Sequence, residues 1–567
     1  MRNRIVTGSQ TLLLAVALAA CSGPVSNTRP TDATAGQGKY AKQVNALAGK
    51  LVEGQWTEGL VVGLVHGDTD EVYTFGRVEA GKDAAPTART LFEIGSITKA
   101  FTAILLAELA RRGKVKLDEP VQALLPEGVK VPKRGDKQIT LAHLSTHHSG
   151  LPRMPGNFKP KKVDNPYADY TRDRLYAFLS SHELRRDPGV KYEYSNLAVG
   201  LLGQALAARA GKTSYEALLR ELVLAPLGMK DTAIALSTEQ QQRFARGHVD
   251  GKVTSHWDIP ALAGAGGLRS TVTDMMTFVR ANLGLKKTAL AEALTMTHGK
   301  RAAAAKGMSV GLGWHITPAG DVWHNGGTGG FHSYTAFHKG SRTGVVVLGN
   351  TNTGAVDKLG SALGAMLRGQ KYALKLPATV KLGAEVLDRY VGIYEMAPGV
   401  YFTVARNGAR LTAQLLSQPA FRIYPESETR FKYRVAKAAI SFQDIKDGKA
   451  MTMVLHQGGK DQPAKRVAKK TTRKLPREVA VEGKVLDRYA GTYLLAPGVN
   501  VTVTRKGAGL LAQVTGQPAI PIFPRSQTRF FYKVVPAEIE FMVDTAGKTQ
   551  SLVLYQGGRE MPAKKVK

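Results

Sequence analysis

Three short stretches of the sequence carry residue types that together could activate a serine hydroxyl. The first is Ser96-Ile97-Thr98-Lys99, which follows Gly95 and opens a run of apolar residues at helical spacing. Because positions i and i+3 share one helix face, the Lys99 amine can reach the Ser96 hydroxyl. A serine at the positive end of a helix can act as a nucleophile, with a desolvated lysine beside it as general base. The motif is weak by itself, but it occurs only once and lies at a helix start.

The second stretch, Tyr194-Ser195-Asn196, offers a phenol and an amide. It follows a Pro-Gly turn signal and precedes a run with helical apolar spacing. In an extended segment, side chains two residues apart point the same way, so Tyr194 and Asn196 would face one site. We expect Tyr194 to move a proton between Ser96 and a leaving group, and Asn196 to hydrogen-bond a substrate carbonyl. On its own, the tripeptide fits an ordinary half-buried tyrosine better than a site.

The third stretch runs from His324 to Gly330 and holds four glycines among seven residues. Glycines let a substrate come close to the backbone, and Gly326 has no side chain to block the nucleophile. The N–H of Gly327, together with that of Ser96, could form an oxyanion hole. Standing alone, this stretch would be a glycine-rich turn.

The elements that must position these residues mix strands and helices. Residues 60–65 and 71–75 predict a β-hairpin, and residues 344–348 predict a buried strand. Residues 96–112 predict a helix that ends at Gly113. The pattern lacks the regular alternation of a doubly wound sheet and therefore predicts an α+β fold.

The order Ser-x-x-Lys, Tyr-x-Asn, His-x-Gly, at spacings of about 100 and 130 residues, resembles that of the serine β-lactamase and penicillin-binding-protein superfamily. The resemblance is to the branch of class C β-lactamases, DD-peptidases, D-aminopeptidases and esterases. It extends to residues 92–99, 139–152, 265–274 and 311–314. It covers roughly residues 40–370, so we assign a serine hydrolase domain to residues 40–372.

The resemblance implies an antiparallel sheet flanked by helices, beside an all-helical region. It implies Ser96 as the acylated nucleophile, and Lys99 and Tyr194 as the acid/base pair. It further implies Asn196 as a substrate ligand and the N–H groups of Ser96 and Gly327 as the oxyanion hole. Such an enzyme cleaves a small peptide, amide or ester substrate without a cofactor.

The third motif departs from the Lys-Thr-Gly of the antibiotic-hydrolysing members. Here a mostly neutral imidazole and an amide replace the ammonium and hydroxyl that clamp a substrate carboxylate. We expect His324 and Gly326 to contact the substrate, as in the similar His-x-Gly motif of D-aminopeptidase and esterase members. A β-lactamase or DD-carboxypeptidase becomes the alternative. A second alternative is a non-catalytic protein that binds envelope polymers.

Other histidines are weaker candidates. His143 and His147 are four residues apart and could share a helix face as metal ligands. No third ligand is evident in the sequence, so we expect no metal site. His332 could line the cleft or be an ordinary surface histidine.

The remainder of the chain is a tandem duplication with an offset of 99 residues. Matching segments begin at residues 386 and 485, 397 and 496, 418 and 517, 429 and 528, and 457 and 556. Each copy alternates short β-type runs with turns, which predicts a small antiparallel barrel or sandwich. We assign the copies to residues 380–468 and 479–567, joined by a basic linker over residues 469–478. Some D-aminopeptidase-like members carry two such barrels.

The first residues resemble an export signal with a bacterial lipobox. Arg2 and Arg4 precede an apolar run that is too short to span a bilayer. The only cysteine, Cys21, follows Leu-Ala-Ala. This resemblance implies a signal peptide over residues 1–20, lipid attachment at Cys21 and a tether over residues 21–39. We therefore expect a membrane-anchored protein of the bacterial cell envelope; the alternative is a plain secretory signal.

Composition limits the remaining possibilities. The 567 residues are 43% hydrophobic and 22% charged, which excludes general disorder, collagen and a multi-span membrane protein. A single cysteine excludes a disulfide scaffold. Of the net charge of +33, residues 375–567 hold +17, from 32 basic and 15 acidic residues. Because no nucleic-acid motif is present, an anionic envelope polymer or lipid headgroup is the expected partner, and a basic surface without a specific partner is the alternative.

Overall fold

The computed structural model describes residues 38–377, 379–416, 418–469, 475–516, 519–556 and 558–566. The chain divides into two compact units, Met1–Leu374 and Lys375–Lys567. The expected signal peptide, Cys21 and residues 21–37 of the expected tether lie outside the described residues, as do residues 470–474 of the basic linker. Within the described ranges, no helix combines the length and the apolar character needed to cross a membrane.

The first unit is built around an antiparallel sheet. The strands of this unit are, in chain order, β1 Gly59–His66, β2 Thr69–Gly76, β3 Phe92–Glu93, β4 Gly247–Val249, β5 Lys252–Thr254, β6 Arg269–Ser270, β7 Ala302–Ala303, β8 Ser309–Val310, β9 His315–Ile316, β10 Val322–Gly327, β11 His332–His338 and β12 Thr343–Gly349. Eight of them form the main sheet in the order β2-β1-β12-β11-β10-β9-β8-β7, and β3 pairs with β6 and β4 with β5. The α+β expectation is confirmed.

Helices cover this sheet and form a separate helical region between β3 and β4. They are α1 Ala41–Glu53, α2 Thr98–Arg111, α3 Leu141–Ser145, α4 Arg172–Ser181, α5 Asn196–Arg209, α6 Tyr215–Leu219, α7 Ala225–Leu227, α8 Thr238–Gln242, α9 Ala263–Gly266, α10 Val272–Leu283, α11 Ala291–Thr297 and α12 Ala355–Leu367. Helix α10 packs on β1 and β12, and α12 packs on β11 and β12. Every residue of β12 is buried, which explains its unbroken apolar run.

The predicted hairpin is β1 paired with β2, and Gly67, at a φ of +58°, lies in its turn. The predicted helix over residues 96–112 begins with a 3₁₀ turn, Gly95–Ile97, and continues as α2. Gly113 follows at a φ of +69°, a conformation that glycine adopts without strain. Residues 98–109 are all buried, so α2 is a core helix, and the 3₁₀ turn before it holds Ser96.

The second unit contains two closed antiparallel barrels of eight strands each. The first comprises α13 Ala384–Asp388 and strands β13 Gly392–Ala397, β14 Val400–Asn407, β15 Arg410–Leu415, β16 Phe421–Pro425, β17 Arg430–Tyr433, β18 Ala438–Lys446, β19 Lys449–Gln457 and β20 Lys460–Val467. The second comprises α14 Gly483–Tyr489 and strands β21 Gly491–Ala496, β22 Val499–Lys506, β23 Gly509–Val514, β24 Ile520–Pro524, β25 Arg529–Tyr532, β26 Ala537–Val543, β27 Thr549–Gln556 and β28 Arg559–Lys565.

The two barrels repeat the same core contacts. The Tyr394 hydroxyl donates to the Tyr390 carbonyl at 2.8 Å, and the Tyr493 hydroxyl donates to the Tyr489 carbonyl at the same distance. Each barrel therefore closes around its own aromatic core. Of the two architectures expected for the repeats, the barrel is confirmed.

Candidate active site

Helix α2 and its preceding 3₁₀ turn bring Ser96 and Lys99 into contact. The Lys99 Nζ lies 2.9 Å from the Ser96 Oγ, 3.0 Å from the Asn196 Oδ1 and 2.6 Å from the Ala265 carbonyl oxygen. A neutral amine has two N–H bonds and one lone pair. It can therefore donate to the Asn196 and Ala265 oxygens, which only accept, and accept the hydroxyl hydrogen of Ser96.

The surroundings favour that neutral amine. Lys99 is fully buried. Its pKa lies well below the ordinary value, mainly because burial penalises the ammonium and also because the Arg153 charge repels it. A lysine that is unprotonated near neutral pH can take the proton of a serine hydroxyl.

Tyr194 adds a phenol to the pair. Burial raises the pKa of this phenol, and its hydrogen bond with Ser96 offsets part of that rise. The Tyr194 ring centroid lies 4.9 Å from the Lys99 Nζ and 4.4 Å from the centroid of the His147 ring. Because its pKa is raised, the phenol is protonated at physiological pH and can donate a proton beside Ser96.

The turn into α5 directs both Tyr194 and Asn196 to the site. Ser195 is extended, at φ −131° and ψ 116°, and caps α5 by accepting from the Ala198 N–H at 2.9 Å. Its own N–H donates to the His147 Nδ1 at 3.2 Å, which anchors the segment. The Asn196 Oδ1 accepts a hydrogen bond from the Lys99 Nζ, and the Asn196 Nδ2 lies 3.5 Å from the Tyr167 hydroxyl.

Strand β10 passes directly over the 3₁₀ turn that precedes α2. A Cβ added at Gly326 would overlap the Ile94 carbonyl oxygen and lie 2.8 Å from the Ser96 nitrogen. A Cβ added at Gly95 would lie 2.9 Å from the Gly327 nitrogen. Glycine at these positions lets the backbone N–H groups of Ser96 and Gly327 come close together, as an oxyanion hole requires.

His324 is not among the residues that line the cavity, and the contact of its side chain with the substrate stays a prediction. It is 1% exposed, and burial, His315 and Lys99 lower its pKa. Since side chains alternate along a strand, Asn325 and Gly327 share the cavity face of β10, and His324 and Gly326 share the opposite face. Asn325, whose amide replaces the hydroxyl of the family motif, is therefore the residue of this pair whose side chain lines the cavity.

The cavity in front of Ser96 has a volume of about 490 Å³. Its lining joins α2, the turn before α5, β10 and several loops, and consists of Gly95, Ser96, Arg153, Tyr167, Tyr194, Asn196, Trp257, Ile259, Leu262, Ala265, Gly266, His315, Asn325, Gly327, Thr328 and Asn352. Tyr167 and Trp257 form an aromatic wall, with ring centroids 5.2 Å apart. The sequence did not single out this wall, nor Arg153, His315 and Asn352, because strand β9 and loops distant in sequence supply them.

His332 lies just behind the cavity and belongs to a polar network. Its ring nitrogens lie 2.9 Å from the Asp357 Oδ1 and 3.1 Å from the Asn352 Oδ1. Asp357 also accepts from the Asn325 amide at 3.0 Å, and its hydrogen bond and charge raise the pKa of His332 despite burial. The network fixes Asn325 and Asn352 on the cavity wall.

The other two histidines considered as metal ligands have structural partners. The N–H of His143 donates to the Thr140 hydroxyl, and its Nδ1 accepts from the Thr140 N–H, which caps α3. His147 packs on Tyr194. Across the described part of the chain, no three or more His, Cys, Asp or Glu side chains are grouped so that they could hold a metal ion.

Comparison with known proteins agrees with this arrangement. The β-lactamase family model matches residues 44–366, and a model described as a domain of unknown function, DUF3471, matches residues 475–565. The chain is 31% identical over 323 residues to the D-alanyl-D-alanine-carboxypeptidase/endopeptidase AmpH of Escherichia coli strain K12, covering 54% of this chain and 82% of that relative. It is 30% identical over 342 residues to a β-lactamase of the same strain, covering 53% and 86%.

A solved structure extends the likeness to the fold. The β-lactamase/D-alanine carboxypeptidase from Yersinia pestis, complexed with citrate, has a TM-score of 0.51 and 30% sequence identity, and the match covers 57% of this chain and 98% of that chain. The resemblance seen in the motifs is thereby confirmed. Since the family model spans more than half of the sequence, the chain belongs to the β-lactamase family, in the superfamily of serine β-lactamases and DD-peptidases.

Proposed function

We propose that the chain hydrolyses an amide or ester bond through an acyl-enzyme on Ser96, in the manner of the D-aminopeptidase and esterase members. The observation that carries this proposal is the buried Lys99 amine, which contacts the Ser96 hydroxyl and two carbonyl-type oxygens. A neutral amine in this place donates to the Asn196 and Ala265 oxygens and has its lone pair for the hydroxyl proton.

In the acylation step, the Ser96 Oγ attacks the substrate carbonyl carbon while its proton passes to Lys99. The N–H groups of Ser96 and Gly327 stabilise the negative oxygen of the tetrahedral intermediate. Tyr194 donates its phenolic proton to the leaving group as the carbonyl bond to that group breaks, and Lys99 then returns a proton to Tyr194. Asn196 orients Lys99 and binds the substrate. In deacylation, a water molecule takes the place of the leaving group, and the same residues move its proton.

The second candidate is β-lactam or D-alanyl-D-alanine hydrolysis. It is supported by the relatives whose names carry those activities, at about 30% identity. A non-catalytic polymer-binding protein is the weaker alternative, because such a protein needs neither a neutral buried lysine nor a glycine-lined nucleophile.

A fluorescent fluorophosphonate tests the proposed nucleophile, because this probe forms a covalent adduct with an activated serine. We expect the adduct on the peptide that contains Ser96 and no labelling of the Ser96→Ala variant. Ser195→Ala is the matched control, since the Ser195 hydroxyl caps α5 instead of facing the cavity. Labelling that persists in Ser96→Ala would show that Ser96 is not the nucleophile.

A parallel assay separates the two substrate candidates. It compares hydrolysis of D-amino-acid amides, short-chain esters and a chromogenic cephalosporin.

We also propose a location in the bacterial envelope, with a lipid on Cys21 and the basic second unit near an anionic polymer. The Leu-Ala-Ala-Cys sequence and the net charge of +17 over residues 375–567 support this. Labelled palmitate should enter the wild-type chain and be absent from a Cys21→Ser variant. Equal incorporation into both chains would contradict lipid attachment at Cys21.

A further inference from the structure

The pair formed by His332 and Asp357 lies directly behind the strand that carries Gly327. His332 is opposite Gly327 in the pairing of β10 with β11, and a Cβ added at Gly327 would lie 3.6 Å from the His332 Nδ1. Asp357, on α12, has its Oδ1 2.9 Å from the His332 Nε2. The pair therefore lies against the backbone that supplies one of the two proposed oxyanion-hole N–H groups.

The hydrogen bonds around His332 require that both of its ring nitrogens donate. The Asn352 Nδ2 donates to the Thr328 carbonyl oxygen at 2.7 Å, so the Asn352 Oδ1 is the atom that faces the His332 Nδ1. The Asp357 carboxylate accepts from the Asn325 Nδ2 through Oδ2 and faces the His332 Nε2 with Oδ1. Amide and carboxylate oxygens only accept, and a neutral imidazole has one N–H. His332 is therefore an imidazolium in this arrangement.

The charge around His332 favours that form. Burial lowers the pKa of His332, but the hydrogen bond and the charge of Asp357 raise it, and the resulting pKa lies above the usual value. On the neighbouring strands, Gly327 and Gly349 lie opposite His332 and carry no charge. The other titratable side chains on β10, β11 and the two helices that pack on β11 are exposed, have other partners or lie on the far face of β10; they are His324, Tyr334, His338, Lys358, Asp274 and Arg280.

Hydrogen bonds from this network hold the end of β10 on both sides of Gly327. Before Gly327, the side-chain amide of Asn325 is bound to Asp357. After Gly327, the carbonyl of Thr328 is bound to Asn352, which the imidazolium holds through its Nδ1. A neutral imidazole can donate to only one of the two oxygens that face it. Loss of the proton therefore releases one side of the strand end.

We propose that His332 is a positioning residue that works as an imidazolium: it holds the Gly327 N–H in place for the oxyanion, and loss of its proton slows acylation. This inference rests on the proposed acyl transfer at Ser96. His332 acts through β10, since it is not among the described residues that line the cavity.

Acylation then has two pH limits. It requires a neutral Lys99, so the rate rises as the pH increases through the depressed pKa of that amine. It also requires a charged His332, so the rate falls as the pH increases through the raised pKa of that imidazole. The second limit sets the alkaline side of the profile.

The rate constant for fluorophosphonate labelling of Ser96, measured on the full chain from pH 6 to 9.5, tests this role. We expect the wild-type rate to fall by about tenfold on the alkaline side, less than the 10²- to 10³-fold cost of losing one oxyanion-hole donor. In Asp357→Asn, removal of the carboxylate charge should move this alkaline fall to lower pH by about one unit or more. In His332→Gln the fall should be absent, because glutamine does not titrate, and the rate should stay low throughout.

His338→Gln is the matched control, because His338 lies on the same strand and does not line the cavity. It should keep the wild-type profile. A merely structural role of Asp357 would lower the rate at every pH without moving the alkaline fall. That result, or a wild type without the fall, overturns the proposal.

The proton on His332 can also be observed directly. ¹⁵N NMR of the histidine side chains identifies His332 as the signal that is absent from His332→Gln. We expect both ring nitrogens to be protonated at pH 7, where an unperturbed histidine is mostly neutral. A neutral His332 at this pH overturns the proposal. Absence of labelling at Ser96 instead overturns the proposed function, and because the NMR signal does not depend on labelling, the two failures are distinguishable.

Discussion

Replacement of Lys99 by methionine is expected to slow acylation of Ser96 by about 10²- to 10⁴-fold, the range for loss of a general base. Methionine fills a similar volume but cannot accept the Ser96 proton. It also removes the donor to the Asn196 Oδ1 and the Ala265 carbonyl oxygen. The rate constant for fluorophosphonate labelling measures this step directly, without knowledge of the natural substrate.

Lys114→Met is the matched control for this variant. Lys114 follows the end of α2, is exposed and lies outside the cavity lining. Its replacement should leave the labelling rate within a factor of two or three. If Lys99→Met is labelled at the wild-type rate while it remains folded, another group must accept the serine proton.

The depressed pKa of Lys99 also fixes the direction of two pH effects. Acylation requires the neutral amine, so its rate should fall as the pH drops through the depressed pKa, far below the ordinary 10.5. At a pH between the depressed pKa of native Lys99 and the ordinary 10.5 of the unfolded chain, the unfolded chain binds one proton more than the native chain at this position. The free energy of unfolding therefore rises with pH, by up to about 1.4 kcal/mol per pH unit from Lys99 alone.

Thermal unfolding of wild type and Lys99→Met at pH 7, 8 and 9 isolates this contribution. The wild type should gain stability relative to the variant as the pH rises, because methionine does not titrate. Parallel curves for the two proteins would show that Lys99 is protonated in the native state.

The contact between Ser96 and Lys99 could be predicted because it depends on local geometry. Two residues three apart at a helix start face one another wherever the helix packs. The same holds for Tyr194 and Asn196, since a short extended segment before a helix fixes their directions. The hairpin of β1 and β2 also follows from local turn chemistry and apolar patterning.

The position of His324 shows where reasoning by motif was insufficient. The strand period of two already separates Asn325 and Gly327, which line the cavity, from His324 and Gly326. The sequence therefore held the signal that His324 lies on the other face of β10, where its ring centroid is 6.3 Å from that of Tyr194. Family similarity at the motif masked that signal. Arg153 and Trp257 could not be assigned in this way, because their places in the cavity depend on how distant loops pack.

Closure of the two barrels was likewise not predictable. Alternating burial along β13 to β20 fits a sandwich as well as a barrel. The deciding contact is the pairing of β13 with β20, at residues 393–395 and 465–467. That pairing joins segments about 70 residues apart, and no local pattern indicates it.

Replacement of Gly326 by alanine is expected to lower the acylation rate by 10³-fold or more. The added methyl group would overlap the Ile94 carbonyl oxygen and press on the Ser96 nitrogen. Either β10 or the 3₁₀ turn before α2 must move, and each carries one of the two proposed oxyanion-hole N–H groups. Loss of one such donor costs about 10²- to 10³-fold, so displacement of the pair should cost more.

The steric cause can be separated from the general effect of losing a glycine. Gly354→Ala is the control, because Gly354 has a φ of −65° and a Cβ there would meet nothing within 4 Å. It should label at the wild-type rate. Circular dichroism and thermal unfolding must first establish that Gly326→Ala is folded. If a folded Gly326→Ala variant is labelled as fast as the wild type, β10 can shift away from Ser96 without displacing the Gly327 N–H. The close approach of β10 to Ser96 would then not be a requirement of the chemistry.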